Sequence, residues 1–201
     1  MKSSQRLVII VEGLLYLALA FLIQLIFPAV ISEWGIALRI GYTLLIYYAF
    51  RRGNFAGSFV GLLLGAVSCI GLDNPADHIG QIIGMIIASG CLGIAGLFAR
   101  NLQRTLHNRR MGSAYLNLVT GTILAWLAYF LVRFLTYEYL VSDLSLTTQV
   151  NFQQNALSAL VNIVLSLIIL IVIMNVSAKN FIPKNTPYIS RRERSRLLND
   201  D

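Results

Sequence analysis

Charged residues are scarce in this sequence. Only 12% of its 201 residues are charged, whereas 57% are hydrophobic, and the mean hydropathy is +0.70. A chain of this length cannot bury so much apolar surface in one water-soluble core. The composition therefore excludes an ordinary soluble protein and predicts an integral membrane protein, with the lipid bilayer as its surroundings.

Motifs for catalysis are also missing. The sequence has no GxxxxGK[ST] phosphate loop, no HExxH and no GxSxG, and no pair of acids, histidines or nucleophiles recurs at a catalytic spacing in its apolar stretches. Its two cysteines, Cys69 and Cys91, are spaced like neither a disulfide framework nor a metal site. We expect no enzyme, no metal and no cofactor, and any active transport has to take its energy from a partner.

Six apolar stretches divide the chain, each long enough for a transmembrane helix of about 20 residues. They run from Leu7 to Ile31, Trp34 to Phe50, Phe55 to Leu72, Ile79 to Ala99, Ala114 to Leu135, and Ala156 to Val176. The predicted fold class is an all-α integral membrane protein with six transmembrane helices. Residues 1–178 form the predicted membrane domain, and residues 179–201 form a predicted mobile, basic tail.

Outside the apolar stretches, lysine and arginine occur only in alternate connections and at the two ends of the chain. The basic connections and ends contain Lys2, Arg6, Arg51, Arg52, Arg100, Arg104, Arg109, Arg110, Lys179, Lys184, Arg191, Arg192, Arg194 and Arg196. The other connections contain Glu33, Asp73, Asp77, Glu138 and Asp143. Short basic connections stay in the cytoplasm, so both termini are predicted to be cytoplasmic. The net charge of +7 then reflects topology and anionic lipid headgroups, and no nucleic-acid partner is expected.

Four glycines, at positions 53, 57, 61 and 65, recur every four residues around the third stretch. This spacing places Gly53, Gly57, Gly61 and Gly65 along one helical face, where another helix can approach closely. The stripe predicts a helix contact, either inside the protein or with a partner subunit. The sequence leaves both alternatives open.

Ionisable residues within the stretches are the first candidates for a binding site, because they are costly in a membrane. Arg133 is four residues from both Tyr129 and Tyr137, so the three share a helical face. Together with Arg39 they predict an outward-facing cavity. The alternatives for Arg133 are a salt bridge to Glu138 or an interfacial anchor. Glu12 is predicted to extend toward the membrane surface or to pair with a nearby arginine.

Polar and aromatic residues gather at the predicted outer boundary. Such a set can stack on and hydrogen-bond to a small, ring-bearing ligand. The substrate-binding residues predicted from this pattern are Trp34, Arg39, Gln81, Tyr129, Arg133, Tyr137, Glu138, Asn155 and Asn162.

Three segments carry a family resemblance. The stretch from Trp34 through Arg51, Arg52 and Gly53, the segment AGSFVGLLLG (56–65) and the segment LGIAGLF (92–98) resemble the thiamine-binding S component of energy-coupling factor transporters. The resemblance implies a membrane-embedded subunit that captures a vitamin from outside. It also implies that the subunit docks on a transmembrane coupling protein driven by two cytoplasmic ATPases, and topples to release the vitamin inside.

Several positions depart from the family pattern. Gly84 and Met85 stand where the family has a ligand-binding glutamate followed by tyrosine, so the resemblance adds Gly84 as the tenth predicted substrate-binding residue. Tyr129, Arg133 and Tyr137 align with the family's histidine, glycine and tryptophan. The resemblance implies that a partner docks on the first helix, and such docking would also explain the glycine stripe. These two features give the predicted docking residues. They are Leu14, where the family has alanine, Ala18, Gly53, Gly57, Gly61 and Gly65.

Two substrate classes fit these changes. One is thiamine or a related ring compound, with Glu138 or Asp73 supplying the missing negative charge. The other is a neutral or anionic vitamin, such as pyridoxine, hydroxymethylpyrimidine, pantothenate or nicotinate, held by Arg133 and Arg39. A membrane scaffold whose glycine face binds a partner, without any small ligand, is the alternative from a different functional class.

Overall fold

The structure, a computed structural model, describes residues 3–26, 36–69, 79–140, 148–183, 186 and 188. Six helices make up nearly all of these residues, and the described ranges contain no strand. The helices are α1 (Ser3–Ile26), α2 (Ile40–Arg52), α3 (Asn54–Ser68), α4 (Ile79–His107), α5 (Met111–Leu140) and α6 (Thr148–Val176). The prediction of an all-α fold with six helices is confirmed.

Most of the helices have the length and surface of membrane spans. Four segments, Arg6–Ile26 of α1 and the whole of α4, α5 and α6, are long and apolar enough to cross a membrane. Large apolar side chains such as Phe55, Leu131 and Leu7 project outward, as expected where the surroundings are lipid and not water. Helices α2 and α3 have 13 and 15 residues, so each is only about 20 Å long.

Two helix boundaries differ from the predicted stretches. The second stretch is predicted to be helical from Trp34, which lies outside the described residues, but residues 36–39 are not helical and α2 begins at Ile40. The fourth is predicted to end at Ala99, but α4 continues to His107 through a 3-10 segment, Leu92–Phe98. The extension is amphipathic, with Leu102 and Leu106 buried, which explains why hydropathy alone stops short of it.

Helix α2 lies at the centre of the bundle. Nine of its 13 residues are buried, and it contacts α1, α3, α6 and the 3-10 segment of α4. Helix α1 packs on α2 and α3 and leaves much of its surface exposed. Helix α5 packs between α4 and α6 and contacts both.

The glycine stripe is an internal packing surface. All four glycines are buried, and a Cβ on Gly57 would meet Ala49 and Gly93, whereas a Cβ on Gly61 would meet the backbone of Ser89. Two of the three segments that carry the family resemblance, 56–65 and 92–98, therefore pack against each other. Of the two alternatives for the stripe, the described structure shows the contact inside the protein, and these glycines offer no exposed face for a partner.

One end of the bundle is closed by an ionic cluster. Glu12 accepts hydrogen bonds from both Arg51 and Arg52, with Arg52 Nε at 2.6 Å from Glu12 Oε2. The Glu12 side chain is only 15% exposed. Pairing with a nearby arginine, one of the two expectations for Glu12, is what the structure shows.

The chain that follows α6 packs against this same end. Phe181 is fully buried with its ring edge-on to Tyr47 at 4.9 Å, and Thr186 donates a hydrogen bond to Gln103 Oε1 at 2.6 Å. Burial raises the pKa of the Tyr188 hydroxyl. Residues 179–183, 186 and 188, which belong to the predicted mobile tail, are thus attached to the bundle because they bury apolar and hydrogen-bonded groups there.

Candidate binding cavity

The segment 36–39 is held in a non-helical conformation by side chains of α6. The Ala37 N–H donates to Ser158 Oγ at 3.1 Å and the Arg39 N–H donates to Asn162 Oδ1 at 2.8 Å. Asn162 Nδ2 returns a hydrogen bond to the Ala37 carbonyl oxygen at 2.8 Å. Non-helical backbone within a membrane protein has to be satisfied by protein or by a wet cavity, and here α6 supplies the partners.

A cavity of about 370 Å³ lies between this segment, α5 and α6. It is at the opposite end of α2 from Arg51 and Arg52, and therefore at the end of the bundle away from the ionic cluster. Its size suits a small ring-bearing molecule. The cavity is lined by Ala37, Arg39, Trp126, Tyr129, Phe130, Arg133, Tyr137, Asn151, Gln154, Asn155, Ser158, Ala159 and Asn162.

Aromatic rings from α5 form one wall. Trp126 and Tyr129 meet edge to face with centroids 5.3 Å apart, and Tyr42, on α2, packs against both at 6.2 and 5.5 Å. These contacts hold the rings in fixed orientations. The wall offers aromatic surface on which a planar ligand could stack.

Amide and hydroxyl groups from α6 form the opposite wall. Asn151, Asn155, Ser158 and Asn162 are separated by four, three and four residues, so they lie on one helical face. Asn155 Nδ2 bonds to the Asn151 side chain and backbone, and Ser158 bonds back to Gln154. This face can exchange hydrogen bonds with the polar edge of a ligand.

Two guanidinium groups lie in the same lining. Arg39 donates a hydrogen bond to the Tyr42 hydroxyl at 3.3 Å and lies over the Tyr42 ring, 5.3 Å from its centroid. Among the described residues neither Arg39 nor Arg133 has an ion-pair partner. The described structure shows no salt bridge from Arg133 to Glu138; Glu138 accepts a hydrogen bond from Thr148 at 2.5 Å. The described lining contains no carboxylate.

Two buried polar atoms of the lining have no hydrogen-bond partner in the part of the chain that the structure describes. The Tyr129 hydroxyl and Asn151 Nδ2 make no hydrogen bond among the described residues, although their residues are only 7% and 2% exposed. Leaving such a group unpaired costs about 1–3 kcal/mol. A ligand or bound water in the cavity would remove that cost.

The hydroxyl of Ser166 joins three helices next to the cavity. It accepts a hydrogen bond from the Trp126 indole N–H at 3.0 Å and shares another with Thr43 Oγ1 at 2.9 Å. All three residues are buried. Helices α2, α5 and α6 are therefore connected by polar contacts inside an apolar region.

The structure gathers six of the ten predicted substrate-binding residues in this lining: Arg39, Tyr129, Arg133, Tyr137, Asn155 and Asn162. Gln81 and Gly84 lie on α4 outside it, and a Cβ on Gly84 would press on Thr136 of α5. Glu138 also lies outside the lining, and Trp34 is beyond the described residues.

The predicted docking residues of α1 and several lining residues lie outside the predicted substrate-binding set. Leu14 and Ala18, the predicted docking residues of α1, are exposed, and Leu14 lines an apolar groove between α1 and α3. The lining residues absent from the predicted set are Ala37, Trp126, Phe130, Asn151, Gln154, Ser158 and Ala159. Asn151 and Ser158 could have been found from their helical spacing with Asn155 and Asn162. Within the described part of the chain, no three His, Cys, Asp or Glu side chains converge on a possible metal site.

Comparison with known proteins agrees with this architecture. A solved structure of ThiT from Listeria monocytogenes is similar with a TM-score of 0.75, at 22% sequence identity, over 89% of this chain and 100% of the ThiT chain. That likeness shows the shared fold. No curated protein matches the sequence.

A family match extends over most of the chain. The family described as thiamine transporter protein matches residues 10–182, which include α2 to α6 complete and every residue of the cavity. This family is one of transporters and not of enzymes, and together with the apolar helices it indicates a multi-pass protein of the bacterial cell membrane. The chain therefore belongs to the thiamine transporter protein family.

Proposed function

We propose that this protein is the substrate-binding S component of an energy-coupling factor importer, and that it captures a ring-bearing vitamin in the cavity between segment 36–39, α5 and α6. Thiamine or a related ring compound is the first ligand class to test, because the family is described as thiamine transporter protein. The vitamin enters from outside the cell. Both termini and the ionic cluster of Glu12, Arg51 and Arg52 face the cytoplasm.

One observation carries the proposal. Aromatic rings, amides and guanidinium groups from three separate parts of the chain converge on one cavity of about 370 Å³, and two of its buried polar atoms have no partner among the described residues. Such a combination is costly in a membrane protein unless a polar ligand uses it. The ring walls and the size fit a vitamin better than a metal ion or a lipid tail.

The energy for import comes from elsewhere. The sequence has no phosphate-binding loop, so the proposal includes a transmembrane coupling protein and two cytoplasmic ATPases as partners. Helix α1 is the candidate docking helix, because it leaves Leu14 and Ala18 exposed. The buried glycine stripe gives no support to the alternative of a scaffold with a glycine docking face.

Direct binding tests the proposal. The protein in lipid nanodiscs is titrated with thiamine, pyridoxine, hydroxymethylpyrimidine, pantothenate and nicotinate while tryptophan emission is recorded. Trp126, which lines the cavity and is 1% exposed, should report an occupied site by a saturable change in emission. A folded protein that responds to none of these compounds would contradict the vitamin-binding role.

Purification from native membranes tests the partners. We expect the chain to co-purify with a transmembrane coupling protein and two ATPases, and bound small molecules can be identified from the same sample by mass spectrometry. A stable complex with a different membrane enzyme, together with an empty cavity, would instead support the scaffold.

A further inference from the structure

We infer that the cavity selects an anionic ring compound, with a carboxylate or phosphate group placed between Arg39 and Arg133. This inference rests on the proposed vitamin-binding function and names the charge of its ligand. A cationic ring such as a thiazolium is the poorer ligand.

The charge of the lining is the first reason. Guanidinium groups stay protonated in proteins, so Arg39 and Arg133 bring two positive charges into a lining whose described residues include no carboxylate. A cationic ligand group about 6 Å from one of these guanidinium groups, at an effective dielectric constant of about 20, is repelled enough to weaken binding about a hundredfold. A ligand anion gains a similar factor instead of losing it.

The unpaired polar atoms are a second and independent reason. Asn151 Nδ2 can only donate hydrogen bonds, and the Tyr129 hydroxyl can donate one. Of these two buried groups, the amide needs an acceptor and the hydroxyl can use one, which calls for acceptor atoms on the ligand. The oxygens of a carboxylate or phosphate are the strongest acceptors that a vitamin carries.

Arg39 is prepared for this role before any ligand binds. The Tyr42 hydroxyl and ring hold its guanidinium, and its backbone N–H is fixed by Asn162. Arg133 has no ion-pair partner among the described residues. One arginine is thus a fixed anchor, while the second is available to complete a clamp, and bidentate contacts to carboxylate or phosphate are characteristic of arginine.

Matched ligands that differ in charge test the inference. Three sets are compared on the intact protein in nanodiscs: nicotinate, nicotinamide and 1-methylnicotinamide; pyridoxine and 4-pyridoxate; thiamine and thiamine monophosphate. In every set that binds, we expect the more anionic member to bind at least about tenfold more tightly, the lower end for a charged hydrogen bond.

The outcomes separate the two proposals. Tighter binding of thiamine than of its phosphate, or of nicotinamide than of nicotinate, would overturn the anion inference while leaving the vitamin-binding function intact. Failure of every compound to bind to folded protein would overturn both. A preference for the phosphate in one set and the carboxylate in another would support the inference and identify the group that fits better.

A variant of Arg133 provides the second measurement. Arg133→Gln should lower the affinity for the best anion by about 10- to 100-fold and leave the neutral member of the same set within about twofold. Arg133→Lys should recover part of the preference. Arg100→Gln, which removes an exposed arginine of α4 outside the lining, is the matched control and should change neither affinity. Equal losses for anionic and neutral ligands in Arg133→Gln would show a structural role and overturn the inference.

Discussion

Substituting Gly61 by alanine tests the internal packing of α3 against α4. A Cβ at this position would lie inside van der Waals contact with the carbonyl oxygen of Ser89, 3.0 Å from the carbonyl carbon of Ser89 and 3.1 Å from Gly90 Cα. All three neighbours are backbone atoms, which cannot rotate out of the way. The two helices therefore have to separate by several tenths of an ångström or more, and the contacts of Gly57 and Gly65 loosen with them.

The expected cost is that of overpacking a tight interface, about 1–3 kcal/mol. For a chain of this length, 1 kcal/mol lowers the unfolding midpoint by about 2–4 °C. Gly61→Ala should therefore lower the midpoint by about 4–8 °C if the cost is near 2 kcal/mol. The measurement is thermal unfolding of the isolated subunit in detergent or nanodiscs, followed by tryptophan emission.

Gly112 provides the matched control. It lies near the start of α5, and a methyl group added to its Cα would have no neighbour within 4 Å. Gly112→Ala should therefore leave the midpoint unchanged or raise it, because the higher helix propensity of alanine adds up to about 1 kcal/mol to the free energy of unfolding. The reasoning is refuted if Gly61→Ala unfolds like the parent protein when isolated and fails only in assembling with a coupling protein. That result would make the stripe a partner surface.

Three further substitutions have effects that thermal unfolding can measure. Glu12→Gln should cost about 3 kcal/mol because it removes the charge partner of two partly buried guanidinium groups. Adding Arg52→Gln should recover part of the loss, and a double variant whose losses simply add would show that Glu12 and Arg52 are not coupled. Asn162→Ala should cost about 2–4 kcal/mol by removing the hydrogen bonds of segment 36–39, whereas Asn155→Ala, whose described bonds stay within α6, should cost less; the reverse order would contradict that assignment. Phe181→Ala should cost about 3–5 kcal/mol, and an unchanged midpoint would show that the segment after α6 does not stabilise the bundle.

Hydropathy was sufficient for the number and class of the helices, because a membrane span needs a long apolar run whatever it packs against. It was not sufficient for their ends. Segment 36–39 is apolar enough to continue α2, but its backbone is bound by Ser158 and Asn162, more than 120 residues away. The extension of α4 beyond Ala99 is stabilised by tertiary burial of Leu102 and Leu106, which local hydropathy does not report.

The site was predictable where one helix face carried the signal. Tyr129, Arg133 and Tyr137 share a face of α5, and both they and Arg39 lie in the lining. The predictions of Gln81, Gly84 and Glu138 depend on sequence neighbourhood or on family position, neither of which reports which way a side chain faces. Trp126 was missed because a tryptophan within an apolar run has the pattern of an ordinary core residue.

The polar triad of Thr43, Ser166 and Trp126 has a consequence for the geometry of the cavity. Ser166 follows Asn162 by four residues and Trp126 precedes Arg133 by seven, so each of these pairs shares a helical face. Thr43 lies in the first turn of α2, directly after the non-helical Arg39. Helices in lipid have no hydrophobic penalty that would fix their rotation about their own axes. A turn by one residue, about 100°, would break the triad and direct Arg39, Asn162 or Arg133 away from the ligand. The azimuth of the binding groups is thus set in part by two hydroxyls, Thr43 and Ser166, that are not in the lining.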